Sequence, residues 1–381
     1  MSYGSPDLLI DLIRYHFAWD IVNYICDNNP INVAIARTSA NNTALHEICG
    51  VGSAPYQIVV KILQVRTNAC LAQNKYGDTP LHVSARNSQK SLGRTKLILE
   101  CHPEALKIRN NAGHTPLDTA LVSCASFPVI KLLVEKEPTL LLMRSDDNGG
   151  LTPLQLLWSS FQNNLVGALA LKSYLSGRED RMRSVLENFW RKAKFCTMMS
   201  YRLGLNEKDA HTNIITDDDN NDNDRHLLCH AILAQTSKLL HQPLKIALME
   251  NHELAMQKDL AGNTPLHIVT KTKDYKSIEV ILNLCPSSAR IKDVDGRLAL
   301  HIALVGLKDE KDEGVNRNTC TSTRSSKIVT RVLKTNVDAS DCPDPDPLNE
   351  TYGLFPFMIA ATYHNLQLTY DMLLERPLAA T

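Results

Sequence analysis

A six-residue pattern, Gly-x-Thr-Pro-Leu-His, returns along this chain at intervals of 34 to 38 residues, complete at Gly77 to His82 and at Gly262 to His267. Partial copies keep the register at Asn41 to His46, Gly113 to Asp118, Gly150 to Gln155 and Gly296 to His301. A period of this length restricts the chain to stacked supersecondary units, each burying its apolar face only against its neighbours. At 381 residues a single compact core is not expected, and serial stacking avoids that limit. Function is then expected on a surface, not in a pocket.

Each residue type in the pattern has a mechanical task. Glycine permits the positive φ that closes a hairpin-like tip. Threonine at the N-cap offers its hydroxyl to the free N–H groups of the following helix, and proline at N1 gives up no hydrogen bond, since that N–H has no partner anyway. Leucine then points inward. Histidine at N3 reaches back to the threonine in the geometry of a capping box, so His46, His82, His267 and His301 read as caps. Asp118 and Gln155 replace histidine, Ala44 and Ala299 replace proline, and Leu298 removes the cap hydroxyl. Such units are expected to fray more easily, at about 1 kcal/mol per lost cap.

A second element is coupled to the first. A proline opens a short segment about twelve residues upstream of the threonine position, as in Pro103-Glu104-Ala105-Leu106 and Pro286-Ser287-Ser288-Ala289. An Asx residue stands three before each glycine, at Asn74, Asn110, Asp147, Asp259 and Asp293, and such side chains bond the local backbone of turns. On these residues the chain resembles the ankyrin-repeat family over nearly its whole length. The resemblance implies an all-α ankyrin-repeat solenoid of helix-turn-helix units with tip hairpins, interrupted by two insertions.

The register divides the chain as follows. Residues 1–40 read as N-terminal capping helices, from Leu8, Leu9, Leu12 and Ile13, then Phe17, Ile21, Val22 and Ile25, with Trp19-Asp20 opening the second. Residues 41–175 are repeats. Residues 176–225 form an insert with a basic amphipathic helix and an acidic low-complexity loop, and within it the repeat begun at Pro153 to Phe161 resumes its second helix near Leu186 to Tyr201. Repeats return over 226–307, starting with a degenerate unit at His226 to Ala231. Residues 308–323 read as a disordered insert, with Ser325 and Ser326 beyond it as phosphorylation candidates. Residues 324–381 hold a degenerate last repeat at Gly353 to Ala360 and a closing helix, Leu366 to Leu374, stopped by Pro377.

Composition fits an ordered chain, with 44% hydrophobic and 22% charged residues, so there is enough apolar surface to bury. Formal net charge is zero, which argues against a nucleic-acid binder. The ten cysteines include no Cys-x-x-Cys pair, and Cys26, Cys49, Cys70, Cys101, Cys124, Cys196, Cys229 and Cys285 sit in or beside apolar stretches, as free thiols in a reducing compartment. No secretory signal is read in Met1 to Asp11, and no uncharged apolar run reaches about 18 residues. The expected location is cytoplasmic or nuclear.

Chemistry is not expected. Zinc needs ligands about 2.0 to 2.1 Å from one ion, whereas equivalent caps in stacked units lie about 8 to 10 Å apart. Gly-x-Ser-x-Gly, the phosphate-binding Gly-x-x-x-x-Gly-Lys and His-Glu-x-x-His are all missing. The acidic run Asp217 to Asp224 fails as a calcium loop, having Asp222 and Leu228 where glycine and glutamate belong, and reads as a solvated loop. No catalytic residue, metal, cofactor or small-molecule substrate is therefore expected.

Two surfaces stand out. Arg178 to Arg202 carries the basic residues Arg178, Arg181, Arg183, Arg191, Lys192, Lys194 and Arg202. Its apolar stripe is Met182, Val185, Leu186, Phe189, Ala193 and Cys196. It reads as a repeat helix with a solvated basic face, the alternative being an amphipathic helix of a membrane-associated adaptor. The resemblance implies recognition of a protein partner through tips and concave helix surfaces. By register the partner-binding residues are Lys75 and Tyr76, Asn111 and Ala112, Asp147 and Asn148, Leu260 and Ala261, and Val294 and Asp295. Tyr76 is the first choice, because an exposed amphipathic aromatic favours an interface.

Overall fold

The computed structural model describes residues 6–14, 19–30, 33, 36–51, 54–65, 67–87, 92–123, 125–145, 150–164, 167, 183–206, 228–234, 241–259, 261–312, 324–336, 338–339, 342–345, 351–363 and 365–375. The fold is all-α, with eighteen helices and no strand among the described residues, only an isolated bridge between Arg37 and Thr43. The chain divides into two compact units, Met1–Thr212 and Asn213–Thr381.

The first unit holds α1 (Pro6–Arg14), α2 (Trp19–Asn28), α3 (Ala44–Gly50), α4 (Tyr56–Val65), α5 (Pro80–Arg86), α6 (Leu92–Cys101), α7 (Pro116–Val122), α8 (Phe127–Lys136), α9 (Pro153–Asn163) and α10 (Arg183–Asn206). Each odd helix packs on the next odd helix and each even one on the next even one, while the two of a pair pack on each other. The second unit repeats this plan with α11 (Leu228–Leu233), α12 (His241–Glu250), α13 (Pro265–Lys271), α14 (Tyr275–Leu284), α15 (Ala299–Asp312), α16 (Arg324–Thr335), α17 (Pro356–Thr362) and α18 (Leu366–Glu375). A leucine two residues into the first helix is fully buried in several pairs, as at Leu45, Leu81, Leu117, Leu266 and Leu300. Burying such a side chain stabilises by about 1.5–3 kcal/mol, and a six- or seven-residue helix has no other way to hold together in water.

The caps follow from the pattern. Thr43, Thr79, Thr115, Thr152 and Thr264 each open a helix in extended backbone. The backbone N–H of Thr79 donates to His82 Nδ1 at 3.1 Å, and Thr43 and Thr264 treat His46 and His267 the same way. Gln155 and Asp118 complete boxes of their own with Thr152 and Thr115. Even Leu298, without a hydroxyl, gives its N–H to His301 Nδ1 at 3.0 Å. The expected loss of caps at these departures is therefore corrected at Asp118 and Gln155 and halved at Leu298: any acceptor at N3 that reaches the N-cap N–H suffices.

Asp118 pays a different penalty. It is 2% exposed, its Oδ2 accepts from both the N–H and hydroxyl of Thr115, and its Oδ1 has no hydrogen-bond partner among the described residues. Burial pushes its carboxyl above the usual range. A raised folded-state value means stability is greatest below the unfolded value and falls as pH rises, so ionised Asp118 destabilises at neutral pH. Asp118→His, restoring the residue used elsewhere in the pattern, is expected to stabilise by about 1–3 kcal/mol at pH 7. Urea denaturation checks this, and the gain should shrink as pH falls toward 4.

Other expectations change. Residues 308–312, assigned to a disordered insert, continue α15 to Asp312. Lys308, Glu310 and Lys311 are good helix formers, and charge alone does not end a helix. Ser325 and Ser326 are buried in α16, with Ser325 Oγ on Gly306 O, so they are poor kinase targets. Cys101 is exposed, whereas Cys26, Cys49, Cys70, Cys196, Cys229 and Cys285 are buried free thiols and Cys124 lies outside the described residues. The acidic run 217–224 and residues 313–323 and 376–381 also lie outside them. No helix among the described residues is long and apolar enough to cross a membrane.

Candidate functional site

The tips are built from the Asx residue outward. Asn74 Oδ1 accepts from the N–H groups of Tyr76 and Asp78, Asn110 Oδ1 from those of Ala112 and His114, and Asp293 Oδ1 from those of Asp295 and Arg297. Gly77, Gly113, Gly262, Gly296 and Gly353 then turn the chain at φ between 71 and 79°. In the first tip Asn41 takes that place at φ 60°, which asparagine tolerates, and Thr38 Oγ1 substitutes for the Asx side chain on Asn42 N–H.

Successive tips are bonded to one another. Lys75 N–H donates to Ala40 O at 2.9 Å, and Asn111 N–H to Tyr76 O at 3.0 Å. Gln73 Nε2 reaches Arg109 O, and Arg109 Nη2 reaches Arg144 O. Below the tips the cap histidines perform the same service. His46 Nε2 lies 2.9 Å from Asp78 O, His82 Nε2 3.0 Å from His114 O, His267 Nε2 3.1 Å from Arg297 O, and His301 Nε2 2.9 Å from Cys342 O. A carbonyl oxygen only accepts, so Nε2 carries the proton and Nδ1 stays free to accept the cap N–H. One neutral imidazole thus starts its own helix and grips the next tip. His230 in the degenerate unit makes the same bridge, to Asn263 O at 2.9 Å.

The structure brings Lys75, Tyr76, Asn111 and Ala112 together in the first unit. Tyr76 is 57% exposed with the Lys75 ammonium 5.0 Å over its ring, a cation–π contact that holds both side chains outward. Ala112 is exposed as well. Asn111 Nδ2 donates to Lys75 O at 3.0 Å, so the side chain supports the tip as well as showing a face to solvent. In the second unit Ala261, Val294 and Asp295 are exposed, Val294 at 69%, and Asp295 pairs with Arg297 at 2.7 Å. Asp147, Asn148 and Leu260 lie outside the described residues.

The basic helix packs among the repeat helices of the first unit. In α10 the side chains of Leu186, Phe189, Trp190, Ala193 and Cys196 are buried, and the helix packs on α8 and α9. Phe189 stacks on Phe161 with ring centroids 3.8 Å apart, Phe195 meets Phe127 edge-on, and Arg191 lies 4.3 Å over the Phe127 ring. Two residues depart from expectation: Val185 is exposed and Lys192 is only 4% exposed. Of the apolar stripe, Leu186, Phe189, Ala193 and Cys196 are buried, whereas Val185 is not. Arg178, Arg181 and Met182 lie outside the described residues.

Sequence reasoning missed the residues that close helix C-termini from a distance. Buried Arg94 donates to Ile48 O at 3.1 Å and to Val51 O, while Asn87 Nδ2 donates to Gly50 O at 2.6 Å, so α3 is capped from the next pair. Nothing local marks an arginine 46 residues away as a cap. Among the described residues no group of three histidine, cysteine or acidic side chains is placed to hold a metal ion. Compared with known protein families and with curated proteins, the chain matches none.

Proposed function

We propose that the chain is an ankyrin-repeat array that binds a partner protein through its tips and the adjoining first-helix face, without catalysis. The observation that carries this is Tyr76, an aromatic side chain more than half exposed on a tip whose backbone is hydrogen-bonded on both sides. An aromatic held out on a preorganised backbone loses little conformational freedom when it binds, which is the usual character of an interface anchor. The paired helix rows, the Asx-glycine tips and the bridging histidines support the repeat assignment.

The proposed location is cytoplasm or nucleus. Cys49, Cys196 and Cys229 are buried free thiols pushed up to about 12 by desolvation, which suits inert packing in a reducing compartment. The test is affinity capture from the native cell with the wild-type chain, Lys75→Ala and Tyr76→Ala. One specific protein is expected to be retained about tenfold less well by Tyr76→Ala, with its thermal midpoint unchanged. A capture profile identical in all three chains would remove the tips from the interface.

A further inference from the structure

The sequence of α16, RSSKIVTRVLKT, contains four basic residues and no acidic one. Lys327, Arg331 and Lys334 stand at i, i+4 and i+7, within an arc of about 60° and along a line of about 10 Å. Ile328, Val329, Val332 and Leu333 are buried against neighbouring helices, which leaves Lys327 and Lys334 exposed and Arg331 half-buried. None of the three cations forms an ion pair among the described residues. Arg331 Nη2 donates to Asn283 Oδ1 of α14, a neutral amide that fixes the guanidinium without cancelling its charge. Glu279 lies on α14, Asp371 on α18 and Asp338 past the end of α16, and none of these carboxylates pairs with the line.

α18, which packs on α16, sets an apolar pair beside the cations. Tyr370 is 59% and Leu374 62% exposed, at i and i+4 on one helix face. The same register positions hold Lys131 and Glu135 in α8 and Glu279 and Asn283 in α14, where polar side chains meet solvent. Adjoining apolar side chains at solvent-facing positions mark a contact surface, whereas a single one needs no explanation.

We propose that this face of the second unit docks an acidic amphipathic helix of a protein partner, with carboxylates at i, i+4 and i+7 on Lys327, Arg331 and Lys334 and aliphatic side chains beside them on Tyr370 and Leu374. The pattern of charge selects the ligand. A phosphate-covered surface, bilayer or nucleic acid, spreads its charge evenly and would meet Glu279, Asp338 and Asp371 together with the cations. A helix carries its carboxylates in one line of the same length and turns neutral side chains toward those acids.

Fluorescence polarisation of the full chain tests it, using a labelled alanine-rich helical peptide with glutamate at i, i+4 and i+7 and leucine at i+1 and i+8. The control is an isomer of the same composition with its glutamates spread around the helix. Saturable binding of the first peptide is expected, at least tenfold tighter than the isomer and weakened by added salt. The double variant Lys327→Glu, Lys334→Glu should weaken it at least tenfold. Tyr370→Ser should weaken it severalfold with an unchanged thermal midpoint, because that side chain is exposed. Equal binding of the isomer, no saturable binding, unchanged affinity in the double variant, or a chain that sediments with phosphatidylserine vesicles and ignores the peptide would each overturn the proposal. Tyr76→Ala should bind the peptide as the wild type does, so a failure of the tip reading and a failure here are separate results.

Discussion

Acidification from pH 7 to 4 is expected to destabilise this protein steeply, because its cap histidines are folded in the neutral form. In four of them, His46, His82, His267 and His301, Nδ1 accepts a backbone N–H while Nε2 donates to a carbonyl of the following unit. A second proton on Nδ1 would set N–H against N–H in a buried site. Burial holds His46 down at about 4 and holds His82, His230, His267 and His301 below their ordinary value. Above pH 6.5 neither folded nor unfolded histidine binds the extra proton, and stability is full. Below it the unfolded chain takes up protons that the folded chain refuses, so stability falls until the folded value is reached. For His46 alone that amounts to about 3 kcal/mol between pH 6.5 and 4. The others add in the same direction, against a total stability of about 5–15 kcal/mol. Asp118 opposes the trend only weakly, being a single group relieved by acid.

Urea midpoints measured from pH 7 to 4 check this, and the chain itself supplies the control. Gln155 occupies the histidine position and accepts the Thr152 N–H through Oε1 at 2.9 Å without titrating. His46→Gln and His82→Gln should therefore flatten the pH dependence of the first unit, at the cost of the Nε2 bridges. A midpoint that stays level from pH 7 to 5 in the wild type would contradict the neutral-cap account.

The features legible in the sequence are those whose physics is local. A threonine and an acceptor three residues apart can meet only one way at a helix start, so the caps, the Asx turns and the positive-φ glycines are readable from spacing. The degenerate unit at His226 to Ala231 was placed by the spacing of His226 from Thr264, and that spacing did not show that His230 would be the residue that bridges to Asn263 O. What was not legible depends on which surface each helix meets. Lys192 shares a helix with Arg191 and Lys194 and differs from them only in being turned toward the packed side. Val185 is exposed for the converse reason. Arg94 caps α3 because the two rows of helices bring it under the end of that helix, and the pattern of neither segment says so. The candidate interface was legible in register but not in division of labour: Tyr76 stood first as an aromatic, but nothing in the spacing told that the Asn111 side chain also donates to Lys75 O and so belongs to the support.

That support makes Gly77 a sensitive position in the first unit's tips, and Gly77→Ala is expected to destabilise by about 3 kcal/mol. Two effects combine. At φ 74° an L side chain costs about 1–2 kcal/mol. The added Cβ would also stand 2.6 Å from Asn111 N and closer still to Asn111 Oδ1, so that Asn111 must move. Moving it breaks the bonds from Asn111 N–H to Tyr76 O and from Asn111 Nδ2 to Lys75 O, each worth about 1 kcal/mol. Gly353 separates the two effects, because it turns at φ 73° with nothing among the described residues within 4 Å of the Cβ it would gain. Gly353→Ala should therefore show the conformational cost alone, about 1–2 kcal/mol. Chemical denaturation of both variants decides the point: equal losses would mean that the tip-to-tip contact adds nothing, whereas a larger loss at Gly77 shows that Tyr76 is presented by a backbone the next unit holds in place. Partner capture should then fail with Gly77→Ala even at temperatures where the variant is fully folded, since the substitution displaces the carbonyls of Lys75 and Tyr76 themselves.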